Sequence, residues 1–432
     1  MARERFTFGD VTVDVAERRV TRGGGVASIS PKALDLLVHL LRRAGQLVTK
    51  EELLGAFWPD AAVEEGILAV HVSSLRKAFG DDATTPALIQ TVSKSGYRFI
   101  AAVRRETIGT VEASTTVSAE VCELVGRARA HLLSAERSQV PNAIRTFAAA
   151  ILRDSTHAPA HAGLALAHCA EAEWRIAPPA DAFARARASA LRALAMDDAS
   201  ADALTALGAV MFFGEWDWIG AERSLQRALA ANPSHTQARV LYGRLLDAQG
   251  KLAEGLAMKL RALETDPFLP SVHLAIAMSY WNQRRYDEAI RWATKTLELN
   301  PSHGLAREFL AGAYWAMGDF DRHMAENVKH AAAHDVPASA LDELSRAYAS
   351  GGRAAVVRLA LAQASKQPQG FPEMQLALLH AELGDLDAAV PHLERAIEGR
   401  DPCLVDLAVA PQWDAMRADP RFQRCLAGMH TR

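Results

Sequence analysis

The chain has 432 residues, half of them hydrophobic and 23% charged, which excludes a disordered polymer and leaves room for two or three domains with sizeable cores. The formal net charge of −3 is unevenly spread: residues 1–105 carry 15 basic against 12 acidic side chains, so the front is +3, the remainder is −6, and only the front suits a polyanion. Cys122, Cys169, Cys403 and Cys425 show no Cys-x-x-Cys spacing, which argues against a disulfide framework or a zinc knot and predicts buried, reduced thiols.

The opening "MARERFTFGD" lacks an apolar signal core, and no uncharged run approaches the ~20 residues of a membrane helix, so a cytoplasmic protein is expected. Residues 5–29 alternate and turn at Gly23-Gly24-Gly25, as a small antiparallel sheet does. Next comes "SPKALDLLVHLLRRAGQLVT", with Ser30 as cap and Pro31 at the first helical position, followed by a second helical segment, "KEELLGAFW". A third helix lies in "VEEGILAVHVSSLRKAFGDD". Leu68, Val72, Leu75 and Phe79 form its buried stripe; Gly66, Ala69, Val70, Ser73, Ser74 and Lys77 form a narrow face of short side chains, with Arg76 and Lys77 near its end. Alone, this reads first as an amphipathic helix with a solvated face. The flanks change that reading. In "ALIQTVSKSGYRFIAAV" two alternating runs meet at Lys94-Ser95-Gly96, a hairpin with a cationic tip, and a helix with short side chains beside such a hairpin fits a major groove.

The stretches "ISPKALDLLVHLLRRAGQLVTKEEL", "VHVSSLRKAFGDD" and "IQTVSKSGYRF", about a quarter of the chain, resemble the OmpR/PhoB-type winged-helix DNA-binding domain, and in detail its CadC-like branch of bacterial transcriptional regulators. The resemblance implies a third helix in the major groove and a hairpin wing against the adjacent minor groove. Carried over by position, Val70 and Ser74 face bases, Arg76 and Thr91 hold phosphates, and Tyr97 braces the wing against the DNA backbone; Ser73, Lys77, Lys94 and Arg98 complete the expected DNA-binding set. Family members often carry arginine where this chain has Gly66, Ser74 and Ser93, so direct base reading is thin, with Lys94 as a replacement wing cation. The resemblance also implies that the loop "WPDAAVE" can meet RNA polymerase. With five residues before the first strand, no receiver domain is expected.

From Arg104 to Ala119 the sequence is polar and aperiodic and reads as a linker. Beyond it a period of 34 residues appears in Asn232-Pro233, Asp266-Pro267 and Asn300-Pro301, and again in Leu229, Leu263 and Leu297, naming the tetratricopeptide repeat. "YGRLL", "IAMSY" and "LAGAY" supply the small residues where paired helices approach. Repeats are expected from about 201, 236, 270, 304, 338 and 370, with two degenerate ones over 120–200. The ending "LAVAPQWDAMRADPRFQRCLAGM" reads as a cap, in which Trp413 and Phe422 shield the last helix face. The expected architecture is mainly α: an N-terminal α/β winged helix (1–104), a linker (105–119), an α-solenoid (120–402) and a capping segment (403–432).

No GxxxxGK[ST], HExxH or GxSxG occurs, so no enzyme and no cofactor is expected. His323, His330 and His334 share a helix face, but no cysteine or carboxylate converges with them, so no metal is expected. Trp281 and Trp315, one period apart, are placed on the concave surface with Phe212, Phe213, Arg244, Asn282 and Glu308, as a groove for a peptide, protein or small ligand, or else as packing between repeats. The expected function is a transcriptional regulator, in detail an activator, with double-stranded DNA, RNA polymerase and a groove partner as its contacts, paired head to tail on direct repeats and without a membrane. A cytosolic interaction scaffold and a small-molecule-sensing one-component regulator are the alternatives.

Overall fold

A computed structural model describes residues 3–57, 66–108, 112–134, 136–333, 337–366 and 371–430. The front domain begins with β1 (Arg3–Phe8), β2 (Val11–Asp14), β3 (Arg19–Arg22) and β4 (Gly25–Val26), and continues through α1 (Pro31–Arg42), β5 (Leu47–Thr49), α2 (Lys50–Phe57) and α3 (Gly66–Phe79). The hairpin β6 (Ile89–Val92) and β7 (Gly96–Phe99) and the strand β8 (Arg104–Ile108) follow. Two antiparallel sheets result, ordered β4-β3-β2-β1-β8 and β5-β7-β6. Ser30 caps α1 by accepting the Ala33 amide at 3.2 Å, ahead of Pro31, whose missing N–H costs nothing there. The first sheet locks onto the helices through Phe8, whose ring meets Phe79 edge-on at 5.5 Å and Phe99 at 4.9 Å. Glycine is required at 96, since a Cβ there would lie 2.0 Å from the Val48 carbonyl oxygen across the β5–β7 pair.

Behind this domain antiparallel helix pairs stack as a solenoid. They are α4 (Glu112–Leu133) with α5 (Val140–Arg153), α6 (Ala158–Glu173) with α7 (Pro179–Met196), α8 (Ala201–Ala209) with α9 (Trp218–Ala231), and α10 (Thr236–Ala248) with α11 (Leu252–Thr265). Then come α12 (Pro270–Asn282) with α13 (Tyr286–Leu299), and α14 (Gly304–Ala316) with α15 (Phe320–Ala333). The span α16 (Ala338–Ala364) is itself a hairpin, folded at Gly351-Gly352, where Gly352 takes φ +61°, a conformation without a side-chain penalty only for glycine. The last pair is α17 (Glu373–Glu382) with α18 (Leu386–Glu398), followed by two tight 3₁₀ turns, Pro402–Asp406 and Pro411–Met416, and α19 (Pro420–His430). After α8 the chain runs through a π-helical turn, Val210–Glu215, that buries Phe212 and Phe213.

Two expectations need correction. Most of the stretch expected as a linker is strand or helix: β8 closes the open edge of β1 in the register Arg3↔Ile108 to Thr7↔Arg104, and α4 starts at Glu112, with 109–111 outside the described residues. An unpaired strand edge is a strong template, and the β-branched Thr107 and Ile108 at the end of β8 favour pairing with it. The four thiols are free, but only Cys169 and Cys425 are buried; Cys122 and Cys403 stand at exposed positions next to the buried Val121 and Leu404. Among the described residues no helix is long and apolar enough to cross a membrane.

Candidate nucleic-acid interface

Helical periodicity splits α3 into two faces. Leu68, Val72, Leu75 and Phe79 are buried in the winged-helix core, while Gly66, Ala69, Val70, Ser73, Ser74 and Lys77 are exposed, Val70 at 42%. Arg22 from β3 reaches across to donate to the Ala78 carbonyl at 3.1 Å, satisfying the helix end just before Gly80 turns the chain at φ +67°.

The hairpin is fastened to α3 by a polar strut. The buried Asp81 carboxylate accepts the amides of Ala87 (2.7 Å), Leu88 (3.0 Å) and Ile89 (3.0 Å), which bends the chain into β6. Arg76 donates to the Ile89 carbonyl at 2.7 Å and to the Thr91 hydroxyl at 2.8 Å, with its Nε 3.8 Å from Asp81. Only 13% of its side chain is exposed. Arg76 and Thr91 therefore hold each other, contrary to the expectation that both reach for phosphates. Tyr97 also departs from expectation, since its ring is buried in the core opposite Thr91. The tip Ser93, Lys94, Ser95 is exposed, with Lys94 at φ +60°, and Arg98 lies half-buried beside Gln90 at 3.4 Å. The cations on this face are thus Lys77, Lys94 and, in part, Arg98. The loop "WPDAAVE" lies outside the described residues.

The rear of α3 presents His71, only 2% exposed. Burial, aided by the nearby charge of Lys32, pushes its imidazole down to about 4, so it is neutral near pH 7. Sequence reasoning overlooked His71, Asp81 and Arg22; the Asp81-Asp82 pair directly after the helix was the available signal for the second of these.

The concave surface of the solenoid is not open. Segment 401–417 crosses it, burying Leu404, Val405, Leu407, Trp413 and Met416 in the same apolar cluster as Phe212, Phe213, Leu241 and Leu245. Arg284 pairs with Asp414 at 2.5 Å and donates to the Val409 carbonyl at 3.1 Å, and Arg175 pairs with Asp401. Of the expected groove residues, Trp281 donates to Gln412 at 3.2 Å and Trp315 to Glu382 at 2.6 Å. Arg244 lies over the Phe213 ring at 4.6 Å and pairs with Glu173 at 3.0 Å. Asn282 is buried, and Glu308 is exposed. The expectation of a free partner or ligand groove is therefore corrected: the chain fills it with its own C-terminal segment, which caps the last repeat and also reaches back to α6, α10 and α12. His323 has its Nδ1 2.9 Å from the Ala311 carbonyl oxygen, and His334 lies outside the described residues.

Residues 24–99 match the family described as "Transcriptional regulatory protein, C terminal", and residues 217–270, 274–325 and 374–398 match tetratricopeptide repeat families. Over 96 residues the chain is 35% identical to the DNA-binding response regulator MtrA of Mycolicibacterium smegmatis, covering 22% of this chain and 42% of that protein. Over another 96-residue match it is 29% identical to the transcriptional activator CadC of Escherichia coli, covering 22% of this chain and 19% of CadC. The crystal structure of the Klebsiella pneumoniae RstA DNA-binding domain in complex with RstA box is similar at 32% identity and a TM-score of 0.21, covering 22% of this chain and 96% of that one. The chain spans less than half the length of these two curated relatives. Its front domain is an OmpR/PhoB-type winged-helix domain, and the chain joins that domain to an array of tetratricopeptide repeats.

Proposed function

We propose that the chain is a cytoplasmic regulator of transcription that reads promoter DNA with α3 and the β6–β7 wing, acting as an activator, as the transcriptional activator CadC does. The observation that carries this reading is the exposed strip Ala69, Val70, Ser73, Ser74 and Lys77, standing clear of the solenoid beside an exposed hairpin tip with Lys94. Short side chains let a helix backbone sink between the groove walls, and Val70 and Ser74 are placed to meet base edges. Lys77, Lys94 and Arg98 supply the phosphate contacts. A partner of the array, including RNA polymerase, meets an outer surface, because the inner one is filled.

The test is binding of the full chain to genomic fragments across a salt series. Three phosphate contacts predict a log–log salt slope of about −2.7 for one copy and about twice that for a head-to-tail pair on direct repeats. Absence of site preference at physiological salt would overturn the reading. The thin cation count motivates a second reading, in which the front domain holds another protein. Partners that survive nuclease treatment, together with no measurable DNA affinity, would select it.

A further inference from the structure

The repeat-boundary turns of the solenoid share one pattern, and a turn that faces the winged helix breaks it. The turns at 232–235 and 300–303 read Asn-Pro-Ser-His. In each, the asparagine carboxamide oxygen accepts the serine amide at 3.1 Å, and the histidine Nδ1 accepts an amide of the next helix, Ala238 at 3.1 Å or Ala306 at 3.3 Å. These contacts satisfy donors that a helix start leaves orphaned. The turn between them reads Asp-Pro-Phe-Leu, residues 266–269, and α12 starts without a side-chain cap. A serine and a capping histidine have been exchanged for two apolar side chains.

The first of those side chains, Phe268, leaves the array and packs against the winged-helix core, its ring 6.1 Å from His71 and tilted by 60°. His71 sits on the side of α3 opposite the exposed strip, so the array touches the recognition helix from behind without covering the face turned to DNA. Neighbouring turns support the same contact. The buried Ser234 hydroxyl donates to the Ile29 carbonyl at 2.8 Å, just ahead of α1. Asp202, paired with Arg129 and His235, lies within electrostatic reach of Arg18, and Asp266 within reach of Lys32.

We propose that Phe268 is a positioning residue for DNA reading: by seating the rear of α3 at His71 it fixes the direction in which the array projects from bound DNA. The inference rests on the DNA-binding reading above. A winged helix attached only by backbone can swivel; an aromatic ring wedged behind its recognition helix makes the two bodies move as one. Contact of the array with a second copy or with the transcription machinery then occurs at one angle instead of many, which raises the effective concentration of the two surfaces without changing the base contacts.

The experiment uses the full chain with Cys122 and Cys403 changed to serine and nitroxide labels on Glu51→Cys in α2 and Leu191→Cys in α7, both exposed positions. Pulsed electron resonance reads the distance distribution, free and on a duplex selected by the wild-type chain. Phe268→Ser, which restores the residue found in the sister turns, and His71→Ala should each broaden the distribution, while Phe268→Leu keeps it narrow. Affinity of one copy for one site should stay within about threefold, because no base or phosphate contact is touched. Narrow distributions in both Phe268→Ser and His71→Ala would overturn the proposal, as would a single-site affinity that falls with the circular-dichroism signal of the front domain. If the wild-type chain selects no duplex, the DNA reading fails, and the free-chain distances still decide whether Phe268 seats α3.

Discussion

At the scale of single residues, the site separates side chains that meet DNA from side chains that hold the site in shape. Arg76 is of the second kind: its guanidinium ends on Ile89, Thr91 and Asp81, all within the protein. Arg76→Ala should weaken DNA binding by loosening the wing, leave the salt slope unchanged, and lower the stability of the front domain by about 1.5–3 kcal/mol, the range for hydrogen bonds to a charged group. Lys94→Ala should do the opposite, reducing the salt slope by about 0.9 with stability unchanged. Titrations at several salt concentrations with thermal unfolding of the same variants check both, and a slope reduced by Arg76→Ala would return that residue to the phosphate contacts. The outward strip on α3 was legible because a period of 3.6 residues decides which positions face out whatever the helix packs on. The fate of Arg76 was not, because it depends on Asp81 folding a loop back onto the helix, and no local pattern encodes that closure.

At the scale of elements, the helix pairs were readable to within a few residues. Their spacing is set by small residues that let backbones approach and by prolines at the repeat boundaries, and both are visible in the chain. What escaped was how the elements join at the domain seam, where the groups are tuned by burial. Asp266 is raised from 3.8 to about 6 by burial, against the pull of Lys32 and with the push of Asp35. His71 is lowered from 6.5 to about 4 by burial and Lys32. The folded chain therefore binds a proton at Asp266 more tightly than the unfolded chain, so between about pH 6 and 4 acidification adds stability through this group. His71 has the reverse sign, and between about pH 6.5 and 4 acidification removes stability through it. Asp266→Asn deletes the first effect and leaves the second. Relative to wild type, this variant should lose ground as the pH falls from 7 to 4.5, seen as a shift between the two urea midpoints. A difference between the midpoints that does not vary with pH would mean that Asp266 is solvated in solution.

At the scale of the whole molecule, the concave surface of the solenoid is filled by residues that lie about 130 positions away from their partners, as Arg284 and Asp414 show. That separation is why sequence reasoning, which put Trp281 and Trp315 on the inner side, left the groove empty. Two variants distinguish a permanent plug from a ligand held by charge. Asp414→Ala removes two ion pairs, to Arg284 and Arg417, whose partners are all partly exposed, and such pairs contribute about 0–1 kcal/mol each, so the melting temperature should move by a few degrees at most. Truncation after Gly399 removes Leu404, Val405, Leu407, Trp413, Met416 and Phe422, all buried. At about 1.5–3 kcal/mol for each large apolar side chain taken from water, the loss is on the order of 10 kcal/mol, comparable to the whole stability of a domain. The truncated chain should therefore lose cooperative unfolding, bind hydrophobic dyes and be cut by protease within the repeats, while the front domain keeps its own core. A truncated chain that melts cooperatively and binds an added peptide of residues 400–417 would show the opposite, that the segment is an exchangeable occupant of a groove built for a partner.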